Sequence, residues 1–298
     1  MKAIIQEAKE KGWRRTVLEN FASSEVFNYL SIIATWETRA DWLYLLDLDG
    51  KERVLDVGSG WGSETIPIAR NTAEVVALDG TYERLEFLMV RAAQEGVRNI
   101  IGVRGSVLAP PLEEEQFDIV VLNGVLEWMG LADEAKDPLE LQKLALQNVY
   151  GLLKKGGRLY IGIENSHGYK YLLGEPDDHS GVKNITFLER KQANSLMISL
   201  WGRPYRTYTH SFSGYERLLR EAGFEYLEFY HPFPDYKTFA TLTPLNSSGP
   251  YKYFLKHLCP DSEPGSLGQN VKNLERVALE KDALKDYVSS YAIIAGKD

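Results

Sequence analysis

The feature that most constrains this chain is a glycine-rich turn that follows one apolar segment and precedes another. Residues Val54–Gly62 read Val-Leu-Asp-Val-Gly-Ser-Gly-Trp-Gly, and a second apolar segment, Val75–Asp79, ends in an acid. Glycine has no Cβ, so the backbone of this turn can bend sharply and approach a ligand closely. An acid at the tip of the neighbouring strand can accept both hydroxyls of a ribose. The two segments therefore predict a strand–turn–helix unit that binds a nucleoside-bearing ligand.

The residues of the turn also bear on which nucleoside ligand is bound. The dinucleotide fingerprint G-x-G-x-x-G joins the same elements, with an acid about 20 residues further on. Here Ser63 stands at the third glycine of that fingerprint, and the third glycine comes one residue earlier, at Gly62. The Asp56 carboxylate, two residues before the turn, would repel a pyrophosphate and attract a cationic ligand. S-adenosylmethionine, with a sulfonium and an ammonium group, fits this charge better than a dinucleotide.

With these residues the chain resembles the class I S-adenosylmethionine-dependent methyltransferases, whose first motif is an apolar pair, an acid, an apolar residue and G-x-G-x-G. The resemblance continues in Phe117–Leu122 as the fourth strand and Leu152–Tyr160 as the turn into the fifth, and it covers roughly residues 50 to 165. It implies S-adenosylmethionine as cofactor and a Rossmann-like fold. The cofactor-binding residues that it implies are Asp56, Gly58, Ser59, Gly60, Trp61, Gly62, Asp79, Gly80, Ser106, Val107 and Asn123.

Strand and helix patterns alternate along the chain. The predicted strands are 53–57, 74–78, 99–103, 117–122, 158–163, 224–230 and 287–295, and the predicted helices include 62–70, 81–95, 138–153 and 212–223. This alternation predicts an α/β, doubly wound, mostly parallel sheet with ligands at the carboxyl ends of its strands. By resemblance to the family, the last of the seven strands is antiparallel.

Two insertions and an N-terminal extension surround this core. Helical spacing over 3–11 and 24–46 predicts an N-terminal helical cap, residues 1–48, before a core of residues 49–298. A lid insertion, 164–210, follows the fifth strand, and a second insertion, 232–286, follows the sixth; both are much longer than ordinary connections. The lid leaves the ligand-bearing edge of the sheet, so we expect it to cover the methyl-acceptor pocket.

Candidate catalytic groups lie in the lid. Methyl transfer from a sulfonium is an in-line displacement, so the protein must mainly orient the acceptor and exclude water. An alcohol acceptor also benefits from a base, commonly histidine or a carboxylate. The candidates are His167, His179, His210 and Glu164. The alternative is that the histidines only form hydrogen bonds within a folded lid. Their spacing matches no compact zinc-site pattern, so we predict no metal.

The candidate substrate-binding residues are Glu127, Tyr169, Arg203 and Arg206. Glu127 could instead cap the next helix, and the arginines could be ordinary surface charges.

The segment Asn123–Trp128 lacks the Asn-Pro-Pro-Tyr arrangement of many amino methyltransferases for bases and amides. Resemblance therefore implies the branch that acts on small molecules, lipids and sugars. Residues 160–174 and 202–210 also resemble bacterial methyltransferases encoded beside surface-polysaccharide glycosyltransferases, which implies a sugar hydroxyl or a glycan-linked phosphate as acceptor.

Composition limits the cellular compartment and the binding partners that we expect for this chain. A net charge of -8 over 298 residues argues against an extended electrostatic grip on nucleic acid. A lone Cys259 cannot form an internal disulfide, and the chain has neither an apolar signal-peptide run nor a membrane-spanning stretch. We expect a soluble, cytoplasmic enzyme with a small-molecule or glycan acceptor and no integral membrane association. The alternatives are an N-methyltransferase and a non-catalytic S-adenosylmethionine-binding module that supports a partner enzyme.

Overall fold

The computed structural model describes residues 1–21, 28–259, 262–263 and 265–298. The strands in this part of the chain are β1 (Arg53–Val57), β2 (Glu74–Asp79), β3 (Ile100–Arg104), β4 (Phe117–Asn123), β5 (Leu153–Glu164), β6 (Tyr226–Phe233), β7 (Thr241–Pro244) and β8 (Ser290–Gly296). They form one sheet in the order β3-β2-β1-β4-β5-β8-β6-β7.

Twelve α-helices are described in the same residues. They are α1 (Lys2–Lys11), α2 (Trp13–Phe21), α3 (Asn28–Thr35), α4 (Thr65–Asn71), α5 (Tyr82–Gln94), α6 (Pro138–Leu152), α7 (Tyr169–Leu172), α8 (Arg190–Trp201), α9 (Phe212–Glu221), α10 (Ser248–His257), α11 (Leu267–Glu280) and α12 (Leu284–Tyr287). Short 3-10 helices span Glu37–Leu45, Leu126–Leu131 and Ile185–Phe187. Among the described helices, none has the length and apolarity needed to cross a bilayer.

The sheet confirms the predicted α/β topology and extends it by one strand. Strands β1 to β5 pair in parallel, and β8 lies antiparallel between β5 and β6. The antiparallel last strand was therefore predicted correctly. The additional strand, β7, lies within the predicted second insertion and pairs antiparallel with the extended end of β6. The sheet thus has eight strands and not seven.

Both faces of the sheet are covered. Successive residues of β1 point to opposite faces, so that Val54 belongs to one core cluster and Leu55 to the other. The cluster around Leu55 includes buried residues of α6, α9 and α11, and the cluster around Val54 includes residues of α4 and α5. Burial on both faces explains why these strands read as continuous apolar runs.

The N-terminal helices form a third, smaller cluster. Ile5, Ala8 and Val17 of α1 and α2 pack with Phe87 of α5. The segment of helical spacing predicted over 24–46 is divided, in its described part, into α3 and the 3-10 helix Glu37–Leu45. These two elements are separated at Trp36, whose backbone is extended (φ -85°, ψ 103°). Residues 24–27 of that prediction lie outside the described residues.

Three neighbouring strands bring the site together. In β4, Val121 lies opposite Asp56 of β1, and Asn123 lies opposite Gly162 of β5. The glycine turn after β1, the 3-10 helix after β4 and the end of β5 therefore meet at one edge of the sheet. The lid leaves this edge at the end of β5 and returns to it, where Asn165 and His210 form a parallel bridge.

Candidate active site

The glycine turn adopts a backbone that requires glycine. Gly58, Gly60 and Gly62 have φ values of +71°, +54° and +80°, a region that L-residues rarely occupy. A Cβ on Gly58 would lie 2.7 Å from Cγ2 of Val125, and one on Gly62 would lie 2.2 Å from Cδ1 of Leu88. The turn is therefore fixed both by its conformation and by close packing against the segment after β4 and against α5.

Asp79 is held in place at the end of β2. Its carboxylate accepts hydrogen bonds from the backbone N–H of Gly60 (3.1 Å) and of Thr81 (2.8 Å). The side chain is almost fully buried. A carboxylate has about four acceptor positions, so these two bonds leave acceptor capacity on Asp79.

A cavity of about 430 Å³ opens beside the turn, within the range of ligand pockets. Its lining comes from the ends of β1 and β2, from Gly105–Val107 and from the segment Val125–Ala132. Five of the predicted cofactor-binding residues line it: Gly58, Asp79, Gly80, Ser106 and Val107. Bare backbone at the two glycines and an acid at the rim fit a nucleoside. Thr81, Arg84 and Met129 also line this cavity and were not predicted.

The other predicted cofactor-binding residues lie behind or beside the turn. Asp56 is buried and accepts a hydrogen bond from the Thr65 hydroxyl. Burial, and then the nearby Glu64, raise the pKa of the Asp56 carboxyl to about 7. Asp56 is therefore only partly ionised at neutral pH, and its attraction for a cationic ligand is weaker than the sequence predicts. Trp61 packs against Phe87. Ser59 is buried with its hydroxyl unpartnered, and Asn123 donates to Glu64.

A second cavity, of about 380 Å³, lies between the lid and the 3-10 helix Leu126–Leu131. From the lid it is lined by His179, Ser180, Met197 and residues 202–207. Trp128 and Leu131 line this cavity and also the cavity beside the glycine turn. The two cavities therefore share one wall, which belongs to the segment after β4.

A buried charged cluster borders the second cavity. Nε2 of His179 lies 3.7 Å from Oε1 of Glu127 and 3.8 Å from Oε2 of Glu164. Glu164 also accepts a hydrogen bond from the Tyr236 hydroxyl (3.2 Å) and forms an ion pair with Lys237. The ring of His179 lies edge-on to Trp128, with centroids 4.9 Å apart. The structure thus unites two predicted catalytic residues with one predicted substrate-binding residue.

The carboxylates control the protonation of His179. Burial alone would lower the pKa of its imidazole, but Asp177, Glu127 and Glu164 outweigh that effect and raise the pKa to about 10. Burial also raises the pKa of the Glu127 carboxyl, which His179 partly offsets. At neutral pH His179 is therefore a proton donor and a positive charge, and it cannot serve as a base in this state.

The remaining predicted catalytic histidines lie apart from this cluster. His167 is exposed and stacks on Phe187 at 6.2 Å. Nε2 of His210 lies 2.8 Å from Oε1 of Gln142. Gln142 uses its amide group to donate to the carbonyls of Leu126 and Tyr208, so its oxygen accepts and His210 donates. This contact joins the end of the lid to α6.

The predicted substrate-binding residues have different surroundings. Arg203 is exposed at the rim of the lid cavity. Arg206 also borders that cavity, but its guanidinium donates to three backbone carbonyls, of Gly130, Asp133 and Lys136, at 2.6 to 2.8 Å. Tyr169 is buried and stacks on Tyr287, and it lines neither cavity.

Sequence reasoning missed three residues around the charged cluster: Asp177, Tyr236 and Lys237. Asp177 had a signal, because two adjacent acids precede His179. Tyr236 and Lys237 had none, because they belong to the second insertion and reach Glu164 only through the fold. They show that the lid and the second insertion meet at the end of β5.

Comparison with known proteins agrees with this geometry. Residues 55–161 match a family described as a methyltransferase domain. Residues 55–161 form a methyltransferase domain of the S-adenosylmethionine-dependent class. The match starts in β1 and ends in β5, so it covers the glycine turn, Asp79 and Glu127. It confirms the predicted family and its cofactor, S-adenosylmethionine.

Curated relatives of this methyltransferase domain modify different substrates. The ribosomal RNA small subunit methyltransferase G of Deinococcus deserti is 32% identical over 93 residues, which are 30% of this chain and 38% of that protein. The mitochondrial ubiquinone biosynthesis O-methyltransferase of Rattus norvegicus is 31% identical over 125 residues, 41% of this chain and 33% of that protein. The chain thus spans less than half the length of these relatives.

Solved structures extend the similarity of the fold beyond the methyltransferase domain itself. An S-adenosylmethionine-dependent methyltransferase from Thermotoga maritima superposes with a TM-score of 0.52 at 15% identity, over 95% of this chain and 99% of that one. A phosphoethanolamine N-methyltransferase from Haemonchus contortus gives a TM-score of 0.51 at 14% identity, over 96% of this chain and 60% of that one. At such low identity the similarity shows the fold alone.

Proposed function

We propose that this chain transfers a methyl group from S-adenosylmethionine to an oxygen atom of a small molecule or a sugar. The observation that carries the proposal is the wall that Trp128 and Leu131 provide to both cavities. A methyl donor in one cavity and an acceptor in the other would be neighbours. In-line transfer needs this proximity.

The cavity beside the glycine turn is the proposed cofactor site. S-adenosylmethionine, when bound, supplies a methyl group on a positively charged sulfur. Asp79 would accept the ribose hydroxyls with its remaining acceptor capacity, and the missing side chain of Gly80 leaves space for close backbone approach. Ser106 and Val107 would line the adenine end.

The lid cavity is the proposed acceptor site, and its buried cluster provides the polar chemistry. A hydroxyl acceptor must lose its proton as its oxygen bonds to the methyl carbon and the carbon–sulfur bond breaks. Oε2 of Glu127 is buried and has no hydrogen-bond partner, and Glu127 lies beside His179, which lines the cavity. This carboxylate is therefore the proposed proton acceptor. The imidazolium of His179, 3.7 Å from Oε1 of the same carboxylate, would donate a hydrogen bond to the acceptor oxygen or to the carboxylate. The exposed Arg203 at the rim would attract an acceptor that also carries an anionic group.

The test is methyl transfer from labelled cofactor to a panel of sugars, phenols, alcohols, carboxylates, amines and nucleic acids. We expect product with an oxygen acceptor, and we expect Glu127→Gln to lower turnover by about 10²- to 10⁴-fold, the usual contribution of a general base. Cofactor affinity, measured by calorimetry, should stay the same. The matched control is Glu113→Gln, which changes an exposed carboxylate on the loop before β4, at the opposite edge of the sheet.

Two results would contradict the proposal. One is product with amines or nucleic acids and none with oxygen acceptors. The other is tight cofactor binding without any labelled product, which would favour a non-catalytic binding module.

A further inference from the structure

Glu127, Glu164 and His179 form a cluster that no stretch of sequence suggests. They are distant in the chain, but one potential ligand atom from each lies within 4.8 Å of the others. The side chains of Glu127, Glu164 and His179 are 1%, 0% and 3% exposed. Oε2 of Glu164, the oxygen nearest to His179, and Oε2 of Glu127 have no hydrogen-bond partner. A buried carboxylate oxygen without a partner is costly, so its partner should be sought.

The distances do not describe a closed hydrogen-bonded cluster. Nε2 of His179 is 3.7 Å from one carboxylate oxygen and 3.8 Å from the other, whereas N–H···O hydrogen bonds are about 2.7 to 3.2 Å long. Ligand atoms that share a metal ion at about 2.0 to 2.2 Å lie roughly 3 to 4 Å from one another. The two distances from His179 fit a shared ion better than a direct bond.

The charges around the cluster leave a negative excess. Lys237 pairs with Glu164 and Asp178, and Lys170 pairs with Asp178 and Asp235. Glu127 and Asp177 add two more carboxylates beside His179. With His179 as a neutral metal ligand, these two lysines balance two of the five carboxylates. Buried charges are stable when they are paired or coordinate a metal, and a divalent cation would offset most of the remainder.

The other nitrogen of His179 faces the kind of group found behind metal-bound histidines. Nδ1 lies 3.6 Å from Oδ1 of Asp177, so the two atoms are neighbours without a direct hydrogen bond. Asp177 is itself held by the backbone N–H and the hydroxyl of Ser180 and by the hydroxyl of Tyr205. A carboxylate that accepts from the distal N–H fixes the tautomer of a metal-bound histidine and directs the other nitrogen towards the ion.

We propose that Glu127, Glu164 and His179 bind a divalent metal ion at the inner end of the lid cavity. Two carboxylates and one imidazole suit a first-row ion such as Mn²⁺ or Zn²⁺ better than Mg²⁺, because imidazole is a poor ligand for Mg²⁺. His179 lines the cavity, so an ion there has an entry path and open positions towards the cavity. The metal site does not depend on the proposed function, whose imidazolium and free Glu127 carboxylate describe the metal-free cluster. A bound ion would replace the proton on Nε2 of His179. A role of the ion in orienting the acceptor would depend on the proposed function.

The experiment is Mn²⁺ binding to the full chain after removal of metals with a chelator, followed by calorimetry and electron paramagnetic resonance. We expect one Mn²⁺ per chain, with Zn²⁺ competing and Mg²⁺ much weaker. His179→Gln and Glu164→Gln should weaken Mn²⁺ binding by about 100-fold or more, and Asp177→Asn by about 10-fold, the scale for groups behind a ligand. His167→Gln, which changes the exposed histidine of the same insertion, is the matched control and should bind Mn²⁺ normally.

A measurement on the unaltered protein guards against misfolded variants. In protein with ¹⁵N-labelled histidine, substoichiometric Mn²⁺ should broaden one imidazole signal first, and that signal should be the one missing from His179→Gln. Cofactor binding by each variant reports that its fold is intact. Absence of Mn²⁺ and Zn²⁺ binding by the unaltered protein would overturn the proposal. So would a Mn²⁺ affinity of His179→Gln and Glu164→Gln equal to that of the unaltered protein.

The same samples separate this proposal from the proposed function. Methyl transfer is measured with and without bound metal. Stoichiometric Mn²⁺ binding at His179 without methyl transfer to any acceptor supports the metal site and contradicts the proposed function. Methyl transfer by protein that does not bind Mn²⁺ supports the proposed function and contradicts the metal site.

Discussion

The carboxylate of Asp79 stabilises the glycine turn and, by our proposal, also binds the cofactor. It accepts two backbone N–H groups and still borders the cavity. Asp79→Ala should weaken S-adenosylmethionine binding by about 1 to 3 kcal/mol, the range for hydrogen bonds to a charged group, which is about 5- to 150-fold in Kd. Asp79→Asn keeps one acceptor oxygen and should lose less. Calorimetric titration with the cofactor measures both, and an unchanged affinity in Asp79→Ala would remove Asp79 from the site.

Individual residues also show where sequence reasoning succeeds and where it stops. Gly58 and Asp79 were predictable because a local motif fixes both their conformation and their place at the strand ends. Glu127, Glu164 and His179 are brought together by the return of the lid, a long-range contact that leaves no periodic signal. Arg206 was predicted to bind substrate, but its long side chain reaches three carbonyls of the neighbouring loop, which only the packed structure reveals.

At the scale of elements, the lid packs against the 3-10 helix after β4 through a contact that has room only for glycine. An added Cβ on Gly130 would lie 2.2 Å from the backbone oxygen of Arg206 and 2.8 Å from Cβ of Pro138. Gly130→Ala should therefore lower the free energy of unfolding by about 1 to 3 kcal/mol, the cost of overpacking, and should loosen the wall between the two cavities.

Thermal unfolding, followed by circular dichroism, measures this effect. The control is Gly249→Ala in α10, where the nearest atom to an added Cβ is a serine hydroxyl at 3.8 Å. Alanine is favoured over glycine in a helix, so this variant should be as stable as the unaltered protein or more so. Equal melting temperatures for the two variants would argue against the tight contact at Gly130.

The apolar pattern of the sequence locates some helices and strands better than others. Strands β1, β2 and β4 were located to within a residue because both faces are buried and their apolar runs are continuous. The four-residue strand β7 was missed because so short a segment has no distinctive period. The helical spacing predicted over 24–46 continues through Trp36, but the helix itself is interrupted there. Periodicity indicates which side of a segment is buried and does not indicate where the backbone changes direction.

At the scale of the whole molecule, stability should depend on pH through His210. Burial, together with Arg190 and Arg217, lowers the pKa of this imidazole to about 3, below the ordinary value of about 6.5. The unfolded chain therefore binds a proton below about pH 6.5 that the folded chain does not bind until about pH 3. The contribution of His210 is complete above pH 6.5 and decreases as the pH falls towards 3.

Between pH 7.5 and pH 5 this linkage lowers the free energy of unfolding by about 2 kcal/mol. His210→Gln retains a donor for Gln142 but does not titrate, so its loss of stability over the same interval should be smaller by that amount. Urea unfolding at the two pH values measures the difference. Parallel losses in both proteins would show that His210 does not titrate as the structure implies.

The position of β8 has a consequence for the order in which the molecule can form. Strands β5 and β6 do not pair with each other, because β8 lies between them and pairs with both. During synthesis on the ribosome, residues 53–164 can assemble their parallel strands early. Strands β6 and β7 can pair with each other, but they cannot join this sheet until β8 has left the exit tunnel. Between the synthesis of β5 and that of β8, the nascent chain must therefore keep an unpaired edge of β5 exposed, and this is the stage at which a chaperone would have most to protect.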